Sequence, residues 1–323
     1  MNLRMRKYGW LCGLLLLSGC GGGGGTAATN TATATPAVQR VENLDIPYTP
    51  PAGGDPTMAK LDIYSIPDGR PKRLMVFIHG GSWVGGDKSN LKTSADSMIQ
   101  WFLARDYVVV APNFRLASAP GQVLSVSYRE QATDIAYALA WLRQNGAQYG
   151  VTKQAMLLVG FSSGAHLVPL IASDQRYLQA AGLTLSDIMA TISFDIHMYD
   201  IPYGLQLMAG STIAANIPLI QHLFGNTAAQ QQLASPSFYA PNAPVPPTLL
   251  ISAEPSLPVG SHGYITSQAS QAYLQQLLGL GRQASWSHFD NETHQSLVTN
   301  FGTAGDLPTA AVDQFLRSLP PVP

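Results

Sequence analysis

The chain has 323 residues, of which 11% are charged, and its formal net charge at neutral pH is −1. Because no cluster of lysine and arginine follows the first residues, the composition argues against nucleic acid as a partner and against a membrane surface held by charge alone. We therefore expect a small, weakly charged molecule as the binding partner.

The first twenty residues have the order of an export signal. A basic start precedes an apolar run at 11–17 that is too short to span a bilayer. The letters LSGC at 17–20 resemble a bacterial lipobox, in which the cysteine is acylated and the chain is cut just before it. We therefore expect a signal peptide at 1–19 and a lipid anchor on Cys20, in the bacterial cell envelope. The alternative is an ordinary signal peptide with a chance cysteine.

The next segment, 20–40, is rich in glycine, threonine and alanine, and has too little apolar bulk to pack. It is predicted to be a flexible tether. The remaining residues, 41–323, contain no long linker, so we expect them to form one domain. The two cysteines of the chain are Cys12 and Cys20, so this domain forms no internal disulfide and takes its stability from its core.

Short apolar runs alternate with helix-length segments along this domain. Continuous apolar strands between helices indicate a mainly parallel, twisted sheet covered by helices on both faces, which is the α/β fold class. The first two strands are joined by a turn-rich segment and are predicted to form an antiparallel hairpin at the sheet edge. The predicted strands are 41–46, 60–64, 74–78, 107–111, 156–159, 191–194, 248–252 and 284–289, and the predicted helices are 94–105, 127–145, 165–173, 265–280 and 309–319.

Two segments, 174–190 and 201–247, do not follow this alternation. The second is rich in apolar residues. Either segment would cap a functional site or pack on the flank of the sheet, and the sequence leaves both alternatives open.

The letters GFSSG at 160–164 stand between a predicted strand and a predicted helix. Small residues beside Ser162 allow the strained strand-to-helix turn that raises a serine hydroxyl above a sheet. Free N–H groups at the start of the helix stabilise negative charge there. A glycine- and serine-rich turn gives the same letters by chance, so the strand-to-helix context is what predicts Ser162 as a nucleophile.

A glycine pair follows an earlier strand, in the letters HGGSW at 79–83. Glycines let the backbone approach a ligand closely, so the N–H groups of Gly80 and Gly81, with that of Ser163, are predicted to stabilise a developing oxyanion. His79 is predicted to shape this loop rather than to act as a base. Trp83 is either a pocket wall or a core residue.

A general base for Ser162 is expected late in the chain, where four histidines compete. His294 is the first candidate because it lies in a polar loop after the last predicted strand, at the sheet edge where ligands bind in open α/β folds. His288 lies within the strand pattern and is predicted to be structural. His222 and His262 are weaker candidates.

These motifs, with NFRL at 113–116, Asp134 and WLR at 141–143, resemble the carboxylesterase, feruloyl-esterase and arylformamidase-like branch of the α/β-hydrolases. The resemblance runs from about 61 to 301. It implies the α/β-hydrolase fold, with a small cap region, and a serine esterase that acts on short-chain or aromatic carboxylic esters through an acyl-enzyme intermediate.

The resemblance also implies roles for single residues. Ser162 is the nucleophile, His294 is the base, and Gly80, Gly81 and Ser163 form the oxyanion hole. This chemistry needs no cofactor, and the sequence has no Cys/His cluster suited to a metal.

The acid of the implied triad is where the sequence departs from the family pattern Gly-x-x-Asp-x-x-Val. Ser256 stands where the aspartate is expected, and an uncharged group cannot stabilise an imidazolium. Glu254, two residues earlier, is the predicted acid because its longer side chain can compensate. Asp195, which leaves the preceding strand, is the alternative, followed by Asp200, Asp290 or no acid at all.

Other functions stay open at this stage. Arylformamidase-type amide hydrolysis and peptide cleavage use the same machinery. A non-catalytic surface lipoprotein on a hydrolase scaffold is the hypothesis from another class, motivated by Ser256. The expected partners are a small-molecule ester and the membrane, through the lipid anchor on Cys20.

The anchor is directly testable. Cys20→Ala removes the thiol that would receive the first lipid, so we expect a protein that is no longer acylated. Metabolic labelling with a clickable palmitate measures this, and label that persists on the Cys20→Ala protein would refute the lipoprotein hypothesis.

Overall fold

The structure is a computed structural model that describes residues 39–320, apart from the side chains of residues 153 and 154. The predicted signal peptide, Cys20 and nearly all of the predicted tether lie outside the described residues. Eight strands run through the described part: β1 (Val41–Pro47), β2 (Lys60–Ser65), β3 (Lys72–Ile78), β4 (Tyr107–Pro112), β5 (Val151–Phe161), β6 (Ile188–Phe194), β7 (Thr248–Ala253) and β8 (Ala284–Phe289).

These strands form one sheet in the order β1-β2-β4-β3-β5-β6-β7-β8. β2 pairs antiparallel with both β1 and β4, and every other neighbouring pair is parallel. The predicted mainly parallel sheet and the antiparallel hairpin at its edge are therefore confirmed. The central strands are continuous apolar runs because both of their faces are buried.

Eleven α-helices accompany the strands in the described residues: α1 (Asn90–Leu103), α2 (Tyr128–Asn145), α3 (Ser163–Ile171), α4 (Gln175–Ala180), α5 (Ile201–Met208), α6 (Ile217–Phe224), α7 (Ala228–Gln232), α8 (Pro236–Tyr239), α9 (His262–Gly279), α10 (Ser296–Thr299) and α11 (Leu307–Ser318). None of them combines the length and the apolar character that crossing a bilayer requires. Helix α2 begins where the sequence predicts, because Ser127 and Glu130 cap each other's backbone N–H groups in a capping box.

Two apolar cores lie on opposite faces of the sheet. Leu74, Val76 and Ile78 of β3 join α2, α3 and α9 in one core, whereas Met75 and Phe77 join α1, α10 and α11 in the other. This alternation is the two-residue period of a strand with both faces covered. The α/β fold class predicted from the sequence, a mainly parallel sheet with helices on both faces, is confirmed by this arrangement.

An ion pair fastens the loop after β4 to helix α2. The guanidinium of Arg115 donates to both carboxylate oxygens of Asp134, over 2.8 and 2.7 Å, and its backbone N–H donates to the same carboxylate over 3.0 Å. Asp134 is buried. Two residues further on, the N–H of Ala117 donates to the carbonyl of Trp83 over 2.9 Å. The pair therefore also supports the HGGSW loop.

Arg115→Gln tests this ion pair. The substitution leaves the buried carboxylate of Asp134 without its cation, so we expect a loss of about 3–5 kcal/mol in the free energy of unfolding. The control is Arg317→Gln, which breaks the exposed pair with Asp313 and should cost less than about 1 kcal/mol. Urea unfolding measures both values, and equal losses would contradict the structural role of the Arg115 pair.

Candidate active site

Ser162 lies in a tight turn between β5 and α3. Its φ and ψ angles are +54° and −120°, in a region that side-chain-bearing residues seldom adopt. A Cβ on Gly160 would lie 2.3 Å from the carbonyl oxygen of Gly164, and one on Gly164 would lie 2.1 Å from that of Ile78. Both glycines are therefore sterically required. The N–H of Ser162 donates to the carbonyl of Phe194 over 2.9 Å, which ties the turn to β6.

The loop after β3 lies against this turn. A Cβ on Gly80 would be 2.9 Å from the Cβ of Ser162, so the Gly80 backbone is in direct contact with the serine. Gly81 has a φ of +128°, and a Cβ there would be 2.2 Å from the carbonyl oxygen of Gly85. Ser163 begins α3, where backbone N–H groups have no acceptor within the helix. The structure thus places Gly80 against Ser162 and Ser163 directly after it at the start of α3, with Gly81 next to Gly80 in the same loop.

His79 and Trp83 support this loop. The Nδ1–H of His79 donates to the carbonyl of Gly80 over 2.8 Å, and its ring stacks on Phe114 with 4.3 Å between centroids. Burial lowers the pKa of His79, which keeps the ring neutral. The indole N–H of Trp83 donates to His166 over 3.3 Å. This geometry fits the predicted loop-shaping role of His79 and makes Trp83 both a buried residue and a wall of the cavity described below.

His294 follows β8, and its ring is held by a carboxylate. Nδ1 of His294 donates to Asp195 Oδ2 over 2.6 Å, and the other oxygen of Asp195 accepts from the N–H of Ala253 over 3.2 Å. Burial acts to raise the pKa of Asp195, but the hydrogen bond and charge of His294 outweigh it, so the pKa lies below its ordinary value. Asp195 is therefore ionised at neutral pH. The bond fixes the proton of His294 on Nδ1 and leaves Nε2 to take part in proton transfer.

Glu254 does not lie where the sequence predicts. Its Oε1 accepts the backbone N–H of His294 over 3.1 Å, and its Oε2 lies 3.1 Å from Nδ1 of His262. The carboxylate at the ring of His294 is that of Asp195, the alternative. Glu254 leaves β7 in the left-handed conformation, with φ of +67°, and its side chain reaches the backbone of the histidine loop instead of the ring. Strand β6, which Asp195 directly follows, lies between β7 and β5, the strand that precedes Ser162.

The other candidates from the sequence are occupied elsewhere. Ser256 donates its N–H to Asp290 over 3.3 Å, and the same carboxylate oxygen lies 3.0 Å from Nε2 of His288. Asp200 caps the start of α5. His222 bonds a carbonyl of the loop after β4. None of these five residues lines the cavity that contains Ser162.

His262 is closer to the site than the sequence indicates. Its Nδ1 lies 3.9 Å from Asp195 Oδ2, and its ring centroid lies 5.4 Å from that of His294. Asp195, His262 and His294 together offer ligand atoms within 4.8 Å of one another. In this arrangement both Nδ1 atoms already face carboxylates, so the cluster is a hydrogen-bonded network around His294. The sequence analysis ranked His262 among the weaker candidates, and its position at the start of α9, directly after the β7 loop, is the signal that could have raised that rank.

A cavity of about 160 Å³ opens beside Ser162. Apolar side chains from the segment that contains α5 and α6 form one wall, so the first half of the irregular segment 201–247 covers the site, whereas α4 of the other irregular segment packs against α2 on the flank. The cavity is lined by Ser82, Trp83, Ser162, Asp195, Ile196, His197, Met208, Ile213, Asn216, Leu219, Ile220, His262 and His294.

The strand order, the turn at Ser162 and the histidine after the last strand define a protein of the α/β-hydrolase fold. Residues 61–256 match the sequence model of the BD-FAE family, and the chain belongs to this family.

Two curated relatives are esterases of Mycobacterium tuberculosis. LipQ is 30% identical over 131 residues, and LipC is 27% identical over 137 residues. These matches cover 40% and 38% of this chain but only 28% and 30% of the relatives' own lengths. Among solved structures, an inhibited esterase B from Lactobacillus rhamnosis superposes with a TM-score of 0.66 at 20% identity, covering 86% of this chain and 87% of that chain. This likeness supports the fold.

The close contacts at the nucleophile turn lead to a prediction about stability. Gly164→Ala forces a Cβ against the carbonyl of Ile78 in β3, so helix and sheet must separate, and we expect a loss of about 3 kcal/mol or more in the free energy of unfolding. The control is Gly279→Ala in α9, where a Cβ has no neighbour within 4 Å and should be neutral or stabilising. Chemical unfolding compares the two variants. A Gly164→Ala protein as stable as the control would show that the packing at the turn is not essential.

Proposed function

We propose that this protein is a serine hydrolase that cleaves carboxylic esters through an acyl-enzyme intermediate. The observation that carries the proposal is that Ser162, on its strained turn, and His294, bonded to the buried carboxylate of Asp195, line the same cavity. The esterase names of the relatives LipQ and LipC support it.

The reaction follows from this arrangement. His294 Nε2 removes the proton of the Ser162 hydroxyl as the serine oxygen attacks the ester carbonyl carbon. The N–H groups of Gly80, Gly81 and Ser163 donate to the resulting oxyanion. The bond from the carbonyl carbon to the alcohol oxygen then breaks, and the histidine gives its proton to the departing alcohol. Water repeats these steps on the acyl-enzyme and releases the acid.

The two carboxylates beside His294 have different roles in this proposal. Asp195 fixes the tautomer of the ring and stabilises the imidazolium that forms when the proton is taken up. Glu254 holds the backbone N–H of His294 and is a positioning residue. The same carboxylate also fixes His262, so the loop of the base is attached to the start of α9.

The size of the cavity points to small substrates. A volume of about 160 Å³ resembles that of an engineered apolar cavity of ~150 Å³ that binds one benzene molecule. The lining by Met208, Ile213, Leu219 and Ile220 favours an apolar group. We therefore propose short-chain acyl groups or a single aromatic ring for the part of the ester that enters the cavity.

Location is part of the proposal as well. The lipobox-like letters before Cys20 support a hydrolase held at the bacterial cell envelope by a lipid, with the Gly/Thr/Ala segment as the spacer. The palmitate-labelling experiment on Cys20→Ala tests this location.

Ser162→Ala tests the nucleophile. We expect the variant to fold and to lose about 10⁶-fold in kcat, because the attacking oxygen is gone. A fluorophosphonate probe labels an active serine, so the wild-type protein should be labelled and the variant should not. Ser163→Ala is the control, because it keeps both the nucleophile and the backbone N–H. Labelling lost in Ser163→Ala but retained in Ser162→Ala would refute the assignment, and an unlabelled wild type would favour the non-catalytic scaffold.

Asp195→Asn and Glu254→Gln test the division of roles. Asparagine cannot stabilise the imidazolium, so we expect Asp195→Asn to lower kcat by about 10⁴-fold with little change in KM. Glutamine keeps an oxygen for the N–H of His294, so Glu254→Gln should lower kcat by only about 10-fold or less. Steady-state kinetics on a short-chain ester measure both. A large loss in Glu254→Gln with near-normal Asp195→Asn would reverse the two assignments.

A further inference from the structure

A second cavity, of about 400 Å³, opens at the edge of the sheet opposite the active site. The parallel strands begin at this amino edge, and the cavity lies beside Arg73 of β3, Tyr107 of β4 and Met189 of β6. Arg105 and Arg317, the latter in the last turn of α11, also line it. The fold thus brings together three cations that are far apart in the sequence, and we call this site the arginine cavity.

The three guanidinium groups are accessible to a bound molecule. Arg73 is exposed, and the side chains of Arg105 and Arg317 are 37% and 78% exposed. The guanidinium of Arg105 lies 3.5 Å from the ring centroid of Trp101, and that of Arg73 lies 5.9 Å from the ring centroid of Tyr107. Such contacts with aromatic rings hold the planar groups in place before a ligand binds.

One carboxylate accompanies the three cations of the arginine cavity. Asp313 Oδ1 accepts from Nε of Arg105 over 3.1 Å, and Asp313 Oδ2 accepts from Nε of Arg317 over 2.7 Å. The hydrogen bond from Arg317 lowers the pKa of Asp313, so this carboxylate is charged at neutral pH. Arg73 has no ion-pair partner in the part of the chain that the structure describes. Three cations and one anion leave two positive charges in excess.

The neighbouring charges of the amino edge do not cancel this excess. Two cations and two carboxylates pair with one another beside the cavity: Arg70, Lys72, Asp68 and Asp106. The carbonyl end of α11 adds a negative charge of about half an elementary unit. The arginine cavity therefore keeps a net positive charge, and a bound anion would neutralise it.

The tether predicted from the sequence joins the domain at the same edge. β2 pairs antiparallel with both β1 and β4, so β1 runs in the direction of the parallel strands and begins at the amino edge. Its first residue, Val41, pairs with Ser65 at the end of β2. Because neighbouring strands are about 4.8 Å apart, Val41 lies about 10 Å from β4, the strand whose first residue, Tyr107, lines the arginine cavity.

We propose that the arginine cavity binds the phosphate of anionic membrane lipids and turns the active site away from the membrane. Guanidinium groups bind phosphate oxygens through paired N–H donors. The proposal rests on the lipid anchor of the proposed function, because two excess charges are too few to hold a protein on a membrane alone. The strands are about 20 Å long, so Ser162, at their far end, acts on esters in the aqueous phase.

Energy transfer from a dye on the domain to an acceptor lipid tests this orientation. The sequence has cysteines only at positions 12 and 20, so an introduced cysteine gives the acylated protein one dye. Gln148→Cys places the dye at the amino edge, shortly before β5, and Leu257→Cys places it at the opposite edge, after β7. Both positions are exposed.

The measured quantity is the ratio of energy transfer at position 148 to that at position 257. On vesicles of phosphatidylglycerol and phosphatidylcholine we expect a ratio of about 2 or more, because the two edges are about 20 Å apart. On vesicles of phosphatidylcholine alone, or at high salt, the arginines have no anionic partner or are screened, so the ratio should be near one.

Variants assign the orientation to the arginine cavity. Arg73→Gln should lower the ratio on anionic vesicles, and adding Arg317→Gln should bring it near one. Lys60→Gln is the control, because it removes one positive charge at the start of β2, which lies at the opposite edge, and it should keep the wild-type ratio. Melting temperatures report on folding, and Arg73→Gln alone replaces the double variant if the latter does not fold.

Several outcomes would overturn the inference. A wild-type ratio near one on anionic vesicles removes the orientation, and a ratio that persists in the folded arginine variants assigns it to another surface. Calorimetric binding of inorganic phosphate without orientation on vesicles would show a site for free anions instead. A protein that carries no palmitate overturns the anchor, and this inference with it. Turnover of a short-chain ester reports on the proposed hydrolase separately, and the arginine variants should keep it.

Discussion

The contact between Gly164 and the carbonyl of Ile78 sets how closely α3 approaches β3, and the site depends on this distance. A side chain at Gly164 would push the helix away from the sheet. With the helix in place, the Gly80 backbone touches Ser162, and the N–H of Ser162 reaches β6. Three strands thereby converge on one turn. The backbone, rather than any side chain, holds the serine in its strained conformation.

The position of the acid shows that two different strands of one sheet edge can supply the carboxylate for the histidine. In the family pattern the carboxylate follows the seventh strand, where this chain has Ser256. Here the carboxylate that reaches the ring of His294 follows the sixth strand. Both strands end at the same edge of the sheet, so an aspartate on either can reach one histidine. Glu254 and His262 occupy the space beside the ring and hold the histidine loop from the other side.

The fold could be predicted from the sequence because a strand that is buried on both faces has a continuous run of apolar residues. β4 and β7 are buried at every position, and both were placed by their apolar runs. The acid could not be predicted in this way. Which carboxylate meets the ring depends on the left-handed backbone at Asp195 and Glu254, and neither residue type nor spacing encodes that turn.

The short loop from Asp195 to His197 has two tasks, because Asp195 holds the ring of His294 and the three residues line the cavity. The carboxylate needs a fixed backbone to hold its 2.6 Å bond to His294, so insertions or deletions in this loop would disturb the base as well as the cavity. The apolar wall from α5 and α6 holds no catalytic group. Changes of substrate range, in evolution or by design, are therefore expected in the residues of these covering helices, while the loop after β6 keeps nearly the same length.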